Sequence, residues 1–329
     1  MRMIRDKGFT LLELMVALGV GSILLLGLAL LFSQNKRSFL NNEDIARLQE
    51  DGRYALEELA RDIGAAGFFA ELVDPSQVLA LEPSLNGAPD CGVPAAPPMP
   101  WIYTLADGGL VNNAMAFVDN ATAGTAGATF PCIAAGDLEP GNDVMGIKRV
   151  AGAPSAAPAA GRVYIRENGS RGILFQNAGG IVPPIPAPVR DWEFTPRIYY
   201  VRSYAEAPGD GIPTLCRKTL AVGAPPTIQD ECIAQGIERV QFEFGVDTDG
   251  NGSVNAYVPN PTAAQLQEIA AIRIYVHARS VRGDPSYVNP KTYQLSNEPA
   301  FTPNDNFYRR VFASTIVVRN VNNLRQLGI

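Results

Sequence analysis

Histidine occurs once in this 329-residue chain, at His277. A Ser-His-Asp or Cys-His centre would have to use that one ring, and no nucleophile motif stands beside it. A P-loop, a GxGxxG turn and the paired spacings of a zinc site are all missing. These gaps point away from an enzyme. A basic excess is missing too: 27 Lys and Arg stand against 33 Asp and Glu, a net charge of -6. Nucleic-acid binding therefore has no electrostatic footprint, and no nucleic-acid partner is expected. Charged residues make up only 18% of the chain while hydrophobic ones reach 47%, much of that excess in one N-terminal run. Glycine (31) and proline (26) are plentiful, which suits a loop-rich fold rather than a helical bundle.

The first eight residues, MRMIRDKG, carry Arg2, Arg5 and Lys7 against one acid, Asp6. An apolar run follows at once over residues 9–32, broken by a single charge, Glu13. As a helix it would span about 36 Å, enough to cross a hydrocarbon core of roughly 30 Å with some tilt. A basic flank before such a run is held in the cytoplasm by the positive-inside rule. An ordinary secretory signal would be shorter and would end at a small-residue cleavage site, which is not found before Gln34. A plain anchor explains the length but not Glu13, because a carboxylate in a membrane helix is expensive and usually functional. A buried core helix fits poorly with a run that is apolar on every face.

The string Lys7-Gly8-Phe9-Thr10-Leu11-Leu12-Glu13 resembles the signal of type IV prepilins and of type II secretion pseudopilins. The resemblance implies that prepilin peptidase cuts between Gly8 and Phe9 and methylates the new N-terminus at Phe9. Glu13 then falls fifth in the mature chain, the family's position for its glutamate. Unpaired in lipid, that carboxylate would be costly. Its implied partner is the freed amine of Phe9 on the same or a neighbouring subunit, a pairing that would set register as the subunit docks.

Past the membrane the helix should continue. Ile45, Leu48, Ala55, Leu56, Leu59 and Ile63 recur at helical spacing, with Arg47, Glu50, Asp51, Glu57, Glu58, Arg61 and Asp62 on a solvated face. It should end near residues 64–67, where glycines cluster. Beyond it the period changes to two. Val240, Phe242, Phe244 and Val246 alternate with polar residues, as do Ile272, Ile274, Val276 and Ala278, so half-buried antiparallel strands are expected. Residues 162–166, 197–204 and 311–318 also read as strands. Residues 74–140 read mostly as loop, with one short strand near 114–118. His277 falls on the polar side of its strand, where a solvated ring is expected. The organisation is thus a leader (1–8), a transmembrane and filament-core helix (9–33), an amphipathic continuation (34–66) and an exported β-rich domain (67–329). The fold class is α+β and pilin-like, the long helix packed on an antiparallel β-sheet with long loops.

The segments Asp143-Val144-Met145-Gly146-Ile147-Lys148, Phe244-Gly245-Val246-Asp247-Thr248-Asp249-Gly250-Asn251-Gly252, and Arg310-Val311-Phe312 followed by Val318-Arg319-Asn320 resemble PilW-type minor pilins, with pseudopilin J of type II secretion as the rival. The resemblance implies a subunit that helps initiate the pilus or forms its tip. Its implied partners are other minor and major pilins, the inner-membrane assembly machinery and a large tip adhesin. A surface-binding, adhesive module on a pilin stem is the alternative of another class. Four cysteines all lie in the exported part, where oxidation favours bridges. Of three connectivities, Cys91–Cys132 with Cys216–Cys232 is expected, since each closes a loop within one loop-rich region. No cofactor is expected apart from a calcium ion at the run from Asp247 to Asn255. There Asp247, Asp249, Asn251 and the Ser253 carbonyl match the first half of a calcium loop. Val258 stands where the bidentate glutamate belongs, so an EF-hand is excluded and water or Glu268 would complete the shell. The competing reading is a polar turn, in which Asp, Asn and Gly serve the backbone alone.

Overall fold

The computed structural model describes residues 8, 10–72, 78–80, 85, 91, 101–103, 105, 114–177, 183–223, 225–266 and 268–320. Helix α1 (Leu11–Gly64) is continuous for 54 residues. The chain divides into two units, residues 1–47 and 48–329, with the boundary inside α1. In the first unit the apolar residues of α1 are exposed: Leu11 by 76%, Ile23 by 71% and Phe32 by 73%. Gly19, Gly21 and Gly27 remain helical with open space around them.

In the second unit, thirteen strands among the described residues form three sheets. β1 (Val78–Ala80), β4 (Val163–Glu167), β5 (Gly172–Gln176) and β6 (Arg190–Glu193) make a sheet ordered β1-β5-β4-β6. β2 (Met115–Ala121), β3 (Asn142–Ile147), β7 (Arg197–Arg202), β8 (Thr214–Ala221) and β9 (Thr227–Gln235) make a five-stranded sheet in that spatial order. β10 (Ile237–Val246), β11 (Ala256–Val258), β12 (Ile269–Arg279) and β13 (Arg309–Val317) make the third, ordered β11-β10-β12-β13. All pairs are antiparallel except β1 with β5. The antiparallel sheet structure expected from the sequence is present, divided into three sheets. Three form because residues 114–235 supply enough strands to build layers and a core of their own, centred on Phe130, Ile165, Leu174 and Trp192. Within the stretch expected to be loop lies a short helix, α2 (Ala123–Thr129), started by a Thr122–Thr125 capping box. A last helical turn, α3 (Ala263–Leu266), precedes β12.

The apolar stripe of α1 is buried as its spacing requires. Ala55, Leu59 and Ile63 are inaccessible, packed in one cluster with Met145, Phe242, Phe244, Ile272 and Ile274. Leu59 and Ile63 are each worth about 1.5–3 kcal/mol in burial. The polar face departs from expectation. Glu58 and Asp62 are buried, not solvated, because α1 is covered on that side as well. Asp62 accepts from Arg149 at 2.8 Å, from Arg197 and from the Tyr199 hydroxyl. Glu58 accepts from Arg217 at 3.2 Å, and Arg217 also donates to Tyr199 (3.2 Å) and Glu231 (2.9 Å). Burial works against an ionised Asp62, but the Tyr199 hydroxyl and the Arg197 and Arg149 guanidiniums outweigh it and hold its pKa below the usual value. The same burial, with Asp62 alongside, pushes Tyr199 up to about 12. This network pins the last turns of α1 to β7 and β8.

Two further contacts lock α1 to the third sheet. The Phe312 ring of β13 lies against the backbone at Gly52, where a Cβ would sit 2.3 Å from a ring carbon. Ile316 lies over Gly64 in the same way, 3.2 Å from the position of its Cβ. Glycine at 52 therefore permits a close approach that no other residue allows.

His277 corrects the other expectation of solvation. It is fully buried. Residues 280–308, between β12 and β13, fold back over the polar side of the sheet and set Tyr293 and Phe301 at 4.5 and 5.6 Å from the imidazole. Burial pushes its pKa down to about 4, with Glu238, 3.5 Å away, opposing the shift. Alternation shows which residues share a face. It does not show that a second layer covers that face.

Candidate processing and assembly site

The N-terminal signal residues sit at the head of α1. Gly8 is exposed with nothing within 4 Å of where a Cβ would stand, so the backbone there is open to an enzyme. Residues 1–7 and Phe9 lie outside the described residues, and with them the far side of the expected cleavage point. From Thr10 the geometry is explicit. Thr10 donates its backbone N–H and its hydroxyl to Glu13 Oε2, each at 2.9 Å, and the Glu13 N–H donates to Thr10 Oγ1 at 3.2 Å. Leu14 N–H bonds to the Thr10 carbonyl at 3.2 Å. This is a reciprocal capping box: Thr10 caps the helix and Glu13 reaches back from its third position. The spacing Thr-x-x-Glu was legible in the sequence, yet only Glu13 was singled out there. The box gives Glu13 partners within its own chain, in the apolar run that opens α1. It also places a carboxylate at the positive end of the helix dipole, next to the atoms where a new N-terminus would be made.

The remaining predicted residues lie elsewhere. Cys216 and Cys232 are cross-strand neighbours in β8 and β9 and are bridged. Cys91 is bridged to Cys132. In the loop after β10, Asp247 accepts N–H groups from Gly250 (2.7 Å), Asn251 (3.2 Å) and Gly252 (2.8 Å). Asp249 accepts from Asn251, and Asn251 Oδ1 from Ser253. The Asp247, Asp249 and Asn251 oxygens proposed as calcium ligands thus accept N–H groups of the loop's own backbone. Gly250 and Gly252 take the positive φ the turn needs, 74° and 84°. Among the described residues no cluster of three or more His, Cys, Asp or Glu gathers to hold a metal.

Asn142 and Asp143 of β3 have a role the sequence did not suggest. Val240 donates its N–H to Asn142 Oδ1 at 2.7 Å, and Phe242 to Asp143 Oδ2 at 2.8 Å. Their side chains stitch β3 to the edge of β10 that β11 leaves uncovered. Burial holds the Asp143 pKa well above the usual carboxylate value, although the N–H groups of Asn120 and Phe242 pull the other way.

Residues 3–29 match the model of the prokaryotic N-terminal methylation motif, and residues 198–320 match that of the Type IV Pilus-assembly protein W. Together these two matches support a type IV pilus-related pilin of the PilW type. The first match covers the capped apolar head of the pilin's α1, and the second runs from β7 through β13. No curated protein and no solved structure matches the pilin. The methylation motif and the apolar helix together fit a membrane-anchored precursor.

Proposed function

We propose that this pilin is a minor subunit of the type IV pilus, with a structural role in assembly rather than a catalytic one. It is made as a precursor whose residues 1–8 lie in the cytoplasm and whose domain lies in the periplasm. Prepilin peptidase removes residues 1–8 and methylates Phe9. The inner-membrane machinery then lifts the subunit into the filament, where it meets other minor and major pilins and helps start the fibre or form its tip.

The observation that carries this reading is the Thr10–Glu13 capping box at the head of an exposed apolar helix. Among the described residues it is Thr10 that donates to the Glu13 carboxylate. A neighbouring subunit's freed N-terminal amine offers a charged partner, which a neutral hydroxyl cannot match. The exchange favours docking over remaining in lipid. The test is the mature mass and N-terminal sequence, together with the content of sheared filaments. Wild type should begin at methylated Phe9. Glu13→Ala should still be cut, because the peptidase acts at the Gly8 junction, but should be missing from filaments. A mature chain that retains residues 1–8, or normal incorporation of Glu13→Ala, would overturn the reading.

A further inference from the structure

An exposed strand edge invites pairing with another chain, and proteins that stay unpaired blunt their edges with charge, bulges, short strands or cover. Among the described residues, five of the six edges of the three sheets are blunted. β1 and β11 are three residues long and β6 four. β2 has a register break between Val118 and Ala121 and runs into α2. β9 carries Gln229, Asp230 and Glu231 and pairs across a register break. Even the part of β10 beyond β11 has the Val240 and Phe242 N–H groups taken by Asn142 and Asp143.

β13 carries charge only at its start, in Arg309 and Arg310, has no register break, and among the described residues nothing covers its outer edge. It pairs with β12 over nine consecutive positions without a break. The ladder closes with Ser280 N–H to the Tyr308 carbonyl at one end and Val318 N–H to the Ala270 carbonyl at the other. Even-numbered residues of β13 therefore bond to β12, and Val311, Ala313, Thr315 and Val317 turn their N–H and C=O groups to the open edge. All four are exposed, and none finds a partner there among the described residues. The row holds no charge, no proline and no glycine. It is framed by two exposed cations, Arg310 and Arg319, neither paired with a carboxylate among the described residues.

We propose that the free edge of β13 is a docking site for an extended segment of another exported protein, a short uncharged stretch flanked by acidic residues that adds to the sheet as a strand. Backbone hydrogen bonds to the Val311–Val317 row give the pairing, and the cations at its ends set its register. A second copy of this chain fits poorly, since antiparallel pairing of β13 with itself brings Arg310 close to Arg319 at both ends. The proposal rests on the pilin reading only in placing the partner among exported proteins.

The test uses the full chain in its own cells, with a photo-cross-linking residue at Val317 and a control at Gln229 on β9. Val317 should cross-link to another protein, at a peptide whose short uncharged stretch is bounded by acids, and Gln229 should not. Thr315→Pro removes one outward N–H without touching the β12 ladder. It should lower the cross-link about tenfold or more, while the solubilised chain melts as wild type does. Should proline disturb folding, Arg310→Glu with Arg319→Glu leaves the backbone intact and must lower the same cross-link. No cross-link at Val317, a cross-link only to a second copy, a peptide without flanking acids, or a cross-link that survives both variants would overturn the proposal. Leader removal and filament content, measured in the same cells, report separately on the pilin reading, so failure of either is told from failure of the other.

Discussion

Replacing Asp62 by asparagine tests how the second half of α1 is held. The substitution keeps the shape and removes the charge. Arg217 retains Glu58 and Glu231 as partners, but Arg149 and Arg197 lose the carboxylate they share. Breaking a buried ion pair by removing one partner typically costs about 3–5 kcal/mol. Arg149 and Arg197 keep 16% and 20% of their side-chain surface in contact with solvent, so part of the loss is recovered by hydration. The lower end, about 3 kcal/mol, is expected. For a unit of this size that lowers the melting temperature by about 6 °C. Thermal unfolding of the solubilised full chain by near-ultraviolet circular dichroism measures it. Hydrogen exchange at residues 58–64 should speed up in step. In an Arg149→Met, Arg197→Met background the same Asp62→Asn change should cost much less, because the stranded cations are gone. The pH dependence has a defined sign. A carboxylate whose folded pKa is depressed contributes its stability above its unfolded value and loses it as pH falls through the folded one. The difference between wild type and Asp62→Asn should therefore be full at neutral pH and shrink below about pH 4. A loss under about 1 kcal/mol at pH 7, or costs that simply add across the double-variant cycle, would refute the network as the clamp.

Gly52→Ala drives a methyl into the Phe312 ring and should cost about 1–3 kcal/mol of stability; in a Phe312→Ala background the penalty should vanish, and equal penalties in both would show that the ring does not sit there. His277→Phe tests the buried imidazole. A base whose folded pKa is lowered to about 4 resists a proton that the unfolded chain binds from about pH 6.5, so wild type should lose about 3 kcal/mol relative to the variant between pH 7 and pH 4. Denaturant unfolding at the two pH values reads this, and parallel profiles would contradict it. Asp247→Ala strips three N–H groups of their acceptor and should cost about 1–3 kcal/mol with or without calcium. A wild-type melting temperature that rises with millimolar calcium and falls with chelator would instead assign the loop to the ion.

What the sequence determined by itself were properties that neighbours along the chain can settle. A 54-residue helix follows from an apolar run, a helical stripe and no proline or glycine between Ser33 and Asp51. The cap at Thr10 and Glu13 is written in their three-residue spacing. The buried rows of β10 and β12 follow from strict alternation. Tertiary structure decided which polar residues are solvated. Glu58 and Asp62 stand on a charged stripe, and nothing near them in sequence announces that Arg149, Arg197, Tyr199 and Arg217 will cover it. His277 stands on a polar strand face, and its burial comes from Tyr293 and Phe301. The division into three sheets and the edge of β13 left unpaired among the described residues depend likewise on which strands meet across long stretches of chain. Periodicity encodes the direction in which a side chain points. What it meets there is supplied by residues distant in the chain, through contacts that leave no local pattern.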